Sequence, residues 1–334
     1  MQKFSIILPV RNGGNYVKEC VNSILSQTYS HFNLIVLDNA STDGTMEWIR
    51  SVQDDRIVIY PATEPLSIEK NWARIVTVPK NEFMTCIGHD DILLPGYLDE
   101  MNKLIQQYPD AGLYQTHFNF IDAKGYLIRS CKRVDEIQYP KDFLRHILCM
   151  SIDVNGTGFM VRSADYDKMG GIPAYPNLLF ADFALWLELC RISYKVTSAK
   201  NCFSYRLHHS MTTTSPDDKF HQAFEVFVKY LYSLKQAEQA FNEVINQHAA
   251  AILSYYCKSF SHRLLRTDIK MRNNMTVNGW AKKCDSFVNL LVEKNSYKPS
   301  GMASVQLASV IDSHTFTRKL FLIFKKIYAK PVLK

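Results

Sequence analysis

Two adjacent carboxylates, Asp90 and Asp91, follow His89 in the run CIGHDDILLPGYL, directly after the apolar stretch Phe83–Ile87. Neighbouring acids repel unless something positive compensates them. A hard divalent cation such as Mg²⁺ or Mn²⁺, shared between a carboxylate and substrate phosphates, suits oxygen ligands and keeps positions open for those phosphates. The competing reading is that Asp91 caps the helix beginning near Pro95, although a cap does not need two acids. A third acid, Asp38, ends the apolar run Phe32–Leu37. It can accept hydrogen bonds from a base or a ribose, or else it belongs to the loop that caps the next helix. Neither G-x-x-x-x-G-K-[ST] nor G-x-G-x-x-G follows the first apolar run, so a P-loop or a dinucleotide-binding turn of the usual form is excluded.

The elements that must position these acids are legible as alternating periods. Phe4–Val10 is a short β-branched run ending at RNGG, which reads as a buried strand. Val17, Cys20, Val21, Ile24 and Leu25 then recur on one helical face. Further strands are predicted at Phe32–Leu37, Arg56–Tyr60 and Phe83–Ile87, with helices around Trp48, over Ile68–Val76 and from Pro95. Strand and helix alternate over about 110 residues, which predicts a mainly parallel sheet covered on both faces, with ligands at the carboxyl ends of its strands. Beyond residue 110 come a strand at Ala111–Ile121, a turn at DAKG, and apolar segments at Val154–Val161 and Phe180–Leu189. The pattern turns helical near residue 218, so we divide the chain into residues 1–217, with halves meeting near 110, and residues 218–334.

Charge divides at the same place. The chain has 334 residues with 39 Lys and Arg against 32 Asp and Glu, a net +7. Residues 1–217 carry 21 basic and 24 acidic side chains and residues 218–334 carry 18 and 8, so the excess lies wholly in the last third. Hydrophobic residues at 47% and charged residues at 21% exclude a disordered or collagen-like chain. The eight cysteines show no C-x-x-C spacing, and buried reduced thiols are the expectation. No apolar run approaches the roughly 20 residues that cross a bilayer, and the first residues lack a signal-peptide pattern, so a cytoplasmic location is expected.

The array SIILPVRNGGNYVKECVNSILSQTYSHFNLIVLDNASTDGT, then HDDILLPGYL, FADFALWLEL and YRLHHSMTT, resembles family 2 glycosyltransferases of the GT-A fold over about residues 1–215. The resemblance implies an α/β nucleotide-sugar-binding fold followed here by a helical C-terminal region. It also implies an inverting transferase that uses a UDP-sugar and Mn²⁺ or Mg²⁺. Carried over position by position, Pro9, Arg11 and Asn12 match the loop that touches the nucleoside, and Asp38 matches the acid that contacts the base. Asp90 and Asp91 match the end of the D-x-D-D element, with Asp90 at the metal position, while Gly88 stands where the first acid is usual. Lys70 lies near a basic residue that neutralises diphosphate, and an exposed helix lysine is the other reading. Asp182 matches the catalytic base, with Ala181 replacing the acid before it and Glu188 in reserve. His208, with His209 beside it, matches the histidine that completes the metal or diphosphate site. Asn155 lies in NGTGFMVRS, where relatives shape the acceptor pocket, and Trp186 could stack on an acceptor sugar or sit in the core.

The last third matches no motif and is read physically. After Asp312 there is no acid, while Arg318, Lys319, Lys325, Lys326, Lys330 and Lys334 flank LFLIF and IY. Such a basic amphipathic segment suits an anionic membrane surface, which makes peripheral attachment at the inner face of the cell membrane the expectation; a packed terminal helix is the alternative. No nucleic-acid motif accompanies the charge. The leading expectation is therefore a transferase acting on a lipid-linked glycan in O-antigen or capsule synthesis. The alternative is a nucleotide-sugar-binding pseudoenzyme or assembly scaffold, suggested by Gly88 and Ala181. Homo-oligomerisation is left open.

Overall fold

The computed structural model describes residues 4–207, 219–293 and 297–328. Among these, residues 4–143 and 152–207 form one compact unit, and residues 144–151 join 219–328 in a second.

The first unit is built on a mixed sheet of ten strands. β1 (Phe4–Val10) pairs in parallel with β2 (Phe32–Asp38) and β4 (Phe83–Cys86), and β2 pairs in parallel with β3 (Ile57–Pro61). This gives the order β3-β2-β1-β4 and is the parallel half read from the alternating periods. Every residue of β1 is buried, because helices cover both faces of the strand. Ile6, Leu8 and Val10 meet Val17, Cys20, Val21 and Ile24 of α1 (Gly14–Leu25), the helical stripe expected from sequence. The helices α2 (Thr45–Ser51), α3 (Ile68–Ala73) and α4 (Tyr97–Gln107) follow β2, β3 and the acid loop.

The remainder departs from a parallel sheet. After β5 (Ile92–Leu93), β6 (Leu113–Ile121), β7 (Leu127–Ser130) and β8 (Ile137–Gln138), the chain makes α5 (Pro140–Leu148) and then β9 (Phe159–Arg162). β9 runs antiparallel between β4 and β6. Only the end of the apolar run Val154–Val161 is therefore strand, and its start is a loop. α6 (Ser163–Lys168), α7 (Ala181–Arg191) and β10 (Lys195–Arg206) complete the unit. β10 lies parallel to β6 and antiparallel to β5, which closes the order β4-β9-β6-β10-β5. The loop after β4 and the end of β10 are thereby brought to one end of the sheet.

The second unit holds α8 (Lys219–Ala237), α9 (Gln239–Arg266), α10 (Val277–Leu291), α11 (Ala303–Ser313) and α12 (Thr315–Tyr328), and the first three share an aromatic cluster. Phe224, Phe260, Trp280 and Phe287 meet there at ring separations of 5.7–6.2 Å. All eight cysteines are free thiols. No helix among the described residues is long and apolar enough to cross a membrane.

The two loops at the carboxyl ends of β1 and β2 are laced together. Asn12 takes a left-handed backbone at φ 53° and gives its N–H to Ser41 Oγ (3.0 Å), while its Oδ1 accepts from Thr42 N–H (2.8 Å). Gly13 N–H reaches Thr45 Oγ1 (2.9 Å) and Gly14 N–H reaches Asp43 Oδ2 (3.0 Å). Thr45→Val keeps the shape but strands the buried Gly13 N–H, so denaturant unfolding should show a loss of about 1–3 kcal/mol that Thr45→Ser does not.

Candidate active site

The acid pair occupies the loop after β4, and its two members have different surroundings. Asp91 is buried: Oδ2 accepts from Thr157 Oγ1 (2.8 Å) and Oδ1 from the Arg206 N–H (3.0 Å). Burial first, and the neighbouring Asp90 charge second, push its carboxyl well above the usual range, against the pull of these hydrogen bonds and of the Arg206 charge. Asp90 is half-buried. A side chain at Gly88 would meet Asp90 Oδ1 at 2.7 Å and Asp91 Oδ2 at 3.1 Å, so the glycine lets both carboxylates lean over the backbone. The fully buried Cys20 thiol of α1 donates to the Gly88 carbonyl at 3.5 Å.

The positive charge that two adjacent acids require is present in the fold as Arg206, at the end of β10. The residue is 3% exposed, and its guanidinium donates through Nε to the Asp90 carbonyl (2.8 Å) and through Nη2 to Glu19 (2.6 Å). Nη1 reaches the Asp122 and Ala123 carbonyls at 3.3 Å each, and the group lies 4.7 Å from the Tyr16 ring centre. One side chain thus joins β10, the acid loop, α1 and the turn after β6.

Asp182 stands in the first turn of α7, half-buried, with Oδ1 accepting from Phe183 N–H at 3.0 Å. Burial pushes its carboxyl up to about 6, against the backbone hydrogen bonds that lower it. The approach to it is strained. Asn177, Leu178 and Phe180 have φ of 54°, 55° and 62°, conformations that cost bulky residues of order 1–3 kcal/mol each and that cluster at functional sites. Asn177 N–H is pinned by Glu69 Oε1 of α3 at 2.7 Å.

Tyr205 shows that the two acidic elements converge. Burial raises its hydroxyl pKa most, and Asp91, Asp90 and Asp182 each raise it further. The loop before β9 joins the same place. A side chain at Gly156 would meet the Asp182 Cβ at 3.9 Å, Thr157 holds Asp91, and Gly158 N–H binds the Cys86 carbonyl at 3.0 Å. Gly158 has φ 77° with its Cβ position 2.9 Å from the Phe203 ring, so only glycine fits this approach. Asn155 is buried here with neither amide atom hydrogen-bonded, an arrangement that costs free energy unless a partner arrives.

The nucleoside-side residues lie at the ends of β1 and β2. Pro9 is within β1, opposite Leu37, and Arg11 is exposed on the laced loop. Asp38 is buried, with Oδ1 accepting from Ser41 N–H (3.1 Å), and Arg74 donates to its carbonyl (2.9 Å) and to that of Tyr60 (2.5 Å). Lys70 is exposed on α3.

Two sequence expectations change, and the ordinary reading of Glu188 stands. Asp91 does not present an oxygen for a metal, since both are engaged inside the protein. Trp186 does not offer a sugar-stacking face: it is 2% exposed, stacks on Phe159 at 4.4 Å and donates to the Asn155 carbonyl at 2.9 Å. Glu188 pairs with Arg191 at 2.6 Å on the helix surface, the ordinary role that left it in reserve. His208 and His209 lie outside the described residues, among which no group of three His, Cys, Asp or Glu could hold a metal. Arg206, Thr157 and Tyr205 were missed. Arg206 and Tyr205 fall in the YRLHHS run, but no spacing rule shows that a strand-end arginine turns back to an acid loop 115 residues earlier. A shallow cleft lined by Val78, Lys80, Glu82, Arg162 and Asp167 lies at the opposite end of β4 and holds none of these groups.

Residues 5–168 match the model of Glycosyl transferase family 2. An uncharacterised glycosyltransferase of Rickettsia prowazekii is 23% identical over 277 residues, covering 80% of this chain and 85% of that protein. The glycosyltransferase GlyG of Streptococcus pneumoniae is 26% identical over 123 residues, which is 36% of this chain and 41% of GlyG. Residues 1–349 of S. aureus TarS, solved with UDP-GlcNAc, superpose with TM-score 0.65 at 12% identity over 97% of this chain and 92% of that one. A mannosyltransferase of Pyrobaculum calidifontis, solved with GDP-Man and Mn²⁺, gives TM-score 0.54 at 14% identity over 98% and 88%. Both likenesses are of fold.

Removing the Arg206 side chain should leave the Asp90, Asp122 and Ala123 carbonyls without their donor, while the backbone N–H that binds Asp91 remains. Arg206→Met is expected to cost about 1–3 kcal/mol in urea unfolding, against at most about 1 kcal/mol for Glu19→Gln, whose amide oxygen can still accept from the guanidinium.

Proposed function

The chain is a glycosyltransferase that carries a family 2 domain on the GT-A fold, and from that premise we propose an inverting, metal-dependent enzyme. It takes a sugar from a UDP-sugar and places it on a hydroxyl of a lipid-linked glycan, in the synthesis of O-antigen or capsule at the inner face of the cell membrane. The observation that carries this reading is that the loop before β9 joins the two acidic elements, with the Cβ position of Gly156 3.9 Å from the Asp182 Cβ and the next residue, Thr157, hydrogen-bonded to Asp91 at 2.8 Å. The nucleotide sugars bound to the two structural neighbours support a donor of the same chemical class.

In this reading Pro9, Arg11, Asn12 and Asp38 form the nucleoside edge, with Lys70 available to the diphosphate. Asp90 is the carboxylate that would hold a hard cation, with His208 as the expected further ligand. When bound, Mn²⁺ or Mg²⁺ supplies positive charge against that of the departing nucleotide. Asp182 takes the proton of the acceptor hydroxyl as its oxygen bonds to the anomeric carbon, and the bond to the diphosphate breaks on the opposite side with its electron pair. Direct displacement leaves no covalent intermediate. Asn155, buried and unpaired beside Gly156, offers the acceptor sugar one donor and one acceptor.

The scaffold alternative drew on Gly88 and Ala181. Ala181 is fully buried, so an acid there would face the core, and Gly88 makes room for the Asp90 carboxylate. Both substitutions are compatible with a working site.

Asp182→Asn should lower transfer or UDP-sugar hydrolysis by about 10²–10⁴-fold, measured as UDP release with Mn²⁺ across a panel of donors. Full activity in that variant would remove Asp182 from the mechanism. Because a base must be deprotonated, kcat/KM should fall tenfold per pH unit as pH drops below the Asp182 value of about 6, and should level above it. A rate independent of pH between 5 and 7 would contradict the assignment.

A further inference from the structure

The last helix of the second unit has two apolar faces, and packing within the unit uses only one. On α12 the side chains of Thr317, Arg318, Phe321 and Leu322 are partly buried, and Arg318 anchors the helix by donating to the carbonyls of Leu265 (3.2 Å) and Thr267. On the opposite side Phe316, Leu320, Ile323, Phe324 and Ile327 recur at i, i+4, i+7, i+8 and i+11 and are 51–71% exposed. Scattered exposed apolar residues are ordinary, but five large ones in a single helical stripe mark an interaction surface. Leu307 and Val310 of α11 are exposed as well.

The surroundings of the stripe are positive. From Ser313 onward the sequence holds no acid. Lys319 and Lys325 are exposed and pair with no acid among the described residues. Lys319 lies beside the stripe, about 80° round the helix, whereas Lys325 lies on the anchored side with Arg318, where the charges of Lys258, Lys325 and Arg266 add to burial in holding the His262 pKa down. A helix is about 10 Å across, close to the Debye length at physiological salt, so cations on its flanks still act on a charged surface beneath the stripe.

We propose that the outer face of α12 docks on an anionic lipid surface, with the apolar stripe in the acyl boundary and Lys319 among the headgroups. A second copy of the chain is the weaker occupant, since two-fold pairing would set the same cations against one another without an acid to receive them. The proposal rests on the second unit alone and stands apart from the assignment of the transferase site.

The test uses the full chain in vesicle co-sedimentation. Wild type should bind vesicles of 70% phosphatidylcholine and 30% phosphatidylglycerol, should bind pure phosphatidylcholine at least tenfold more weakly, and should be released by high salt. Leu320→Gln with Phe324→Gln, and separately Lys319→Glu, should each weaken binding to the anionic vesicles at least tenfold. All three side chains are exposed, so an unchanged melting temperature confirms folding. Thermal stabilisation by UDP-sugars, read on the same samples, should be untouched, which separates failure of docking from failure of the site. Absence of vesicle binding, equal binding to neutral vesicles, or binding indifferent to the variants would overturn the proposal. So would a wild-type dimer that the Leu320→Gln/Phe324→Gln variant turns monomeric without any affinity for vesicles.

Discussion

Asp91 lies out of water beside a second acid, and the fold meets this constraint with two hydrogen bonds from within the protein, although its carboxyl still sits well above the usual range. A lone carboxylate in such a place would give up its charge. Here Arg206 adds a counter-charge and an N–H, and Thr157 a hydroxyl. The arrangement fixes backbone more than it stores energy, since buried ion pairs return little net stability. Breaking one member is another matter, because every other group then loses its partner inside the protein.

The site follows from where those groups sit in the chain. Arg206 ends β10, Asp91 follows β4, Thr157 precedes β9 and Glu19 belongs to α1. Satisfying one buried acid therefore requires three segments to meet at the same end of the sheet, and the Arg206 side chain ties α1 to them through Glu19. Asp90 is carried along as the immediate neighbour that remains half-exposed. Asp182 arrives independently, on a loop of left-handed residues pinned by Glu69, and is buried enough that its pKa approaches the range useful to a general base. Two acids of the same type, in neighbouring surroundings, thus acquire different chemistry.

The parallel half of the sheet could be read from sequence because its strands are covered on both faces and its helices on one, so the apolar periods are uninterrupted. The stripe from Val17 to Ile24 and the strand Phe4–Val10 are cases in point. The second half was harder. β9 enters antiparallel after a loop rich in glycine, and an apolar run such as Val154–Val161 does not reveal where a strand begins. The acids of the site were visible because two carboxylates after an apolar strand have few structural uses. Their division of labour was not, since only the positions of Thr157 and Arg206 distinguish Asp91 from Asp90. Trp186 shows the converse: a tryptophan one turn after Asp182 reads as a core residue or a sugar platform, and its ring against Phe159 settles it as core.

The central claim is that Asp90 serves the donor and Asp182 serves the acceptor hydroxyl, and calorimetric titration of a UDP-sugar in the presence of Mn²⁺ tests it most directly. The account predicts that Asp90→Asn loses donor affinity by at least tenfold while Asp182→Asn binds the donor as tightly as the wild type. Donor binding lost in Asp182→Asn but retained in Asp90→Asn would contradict it.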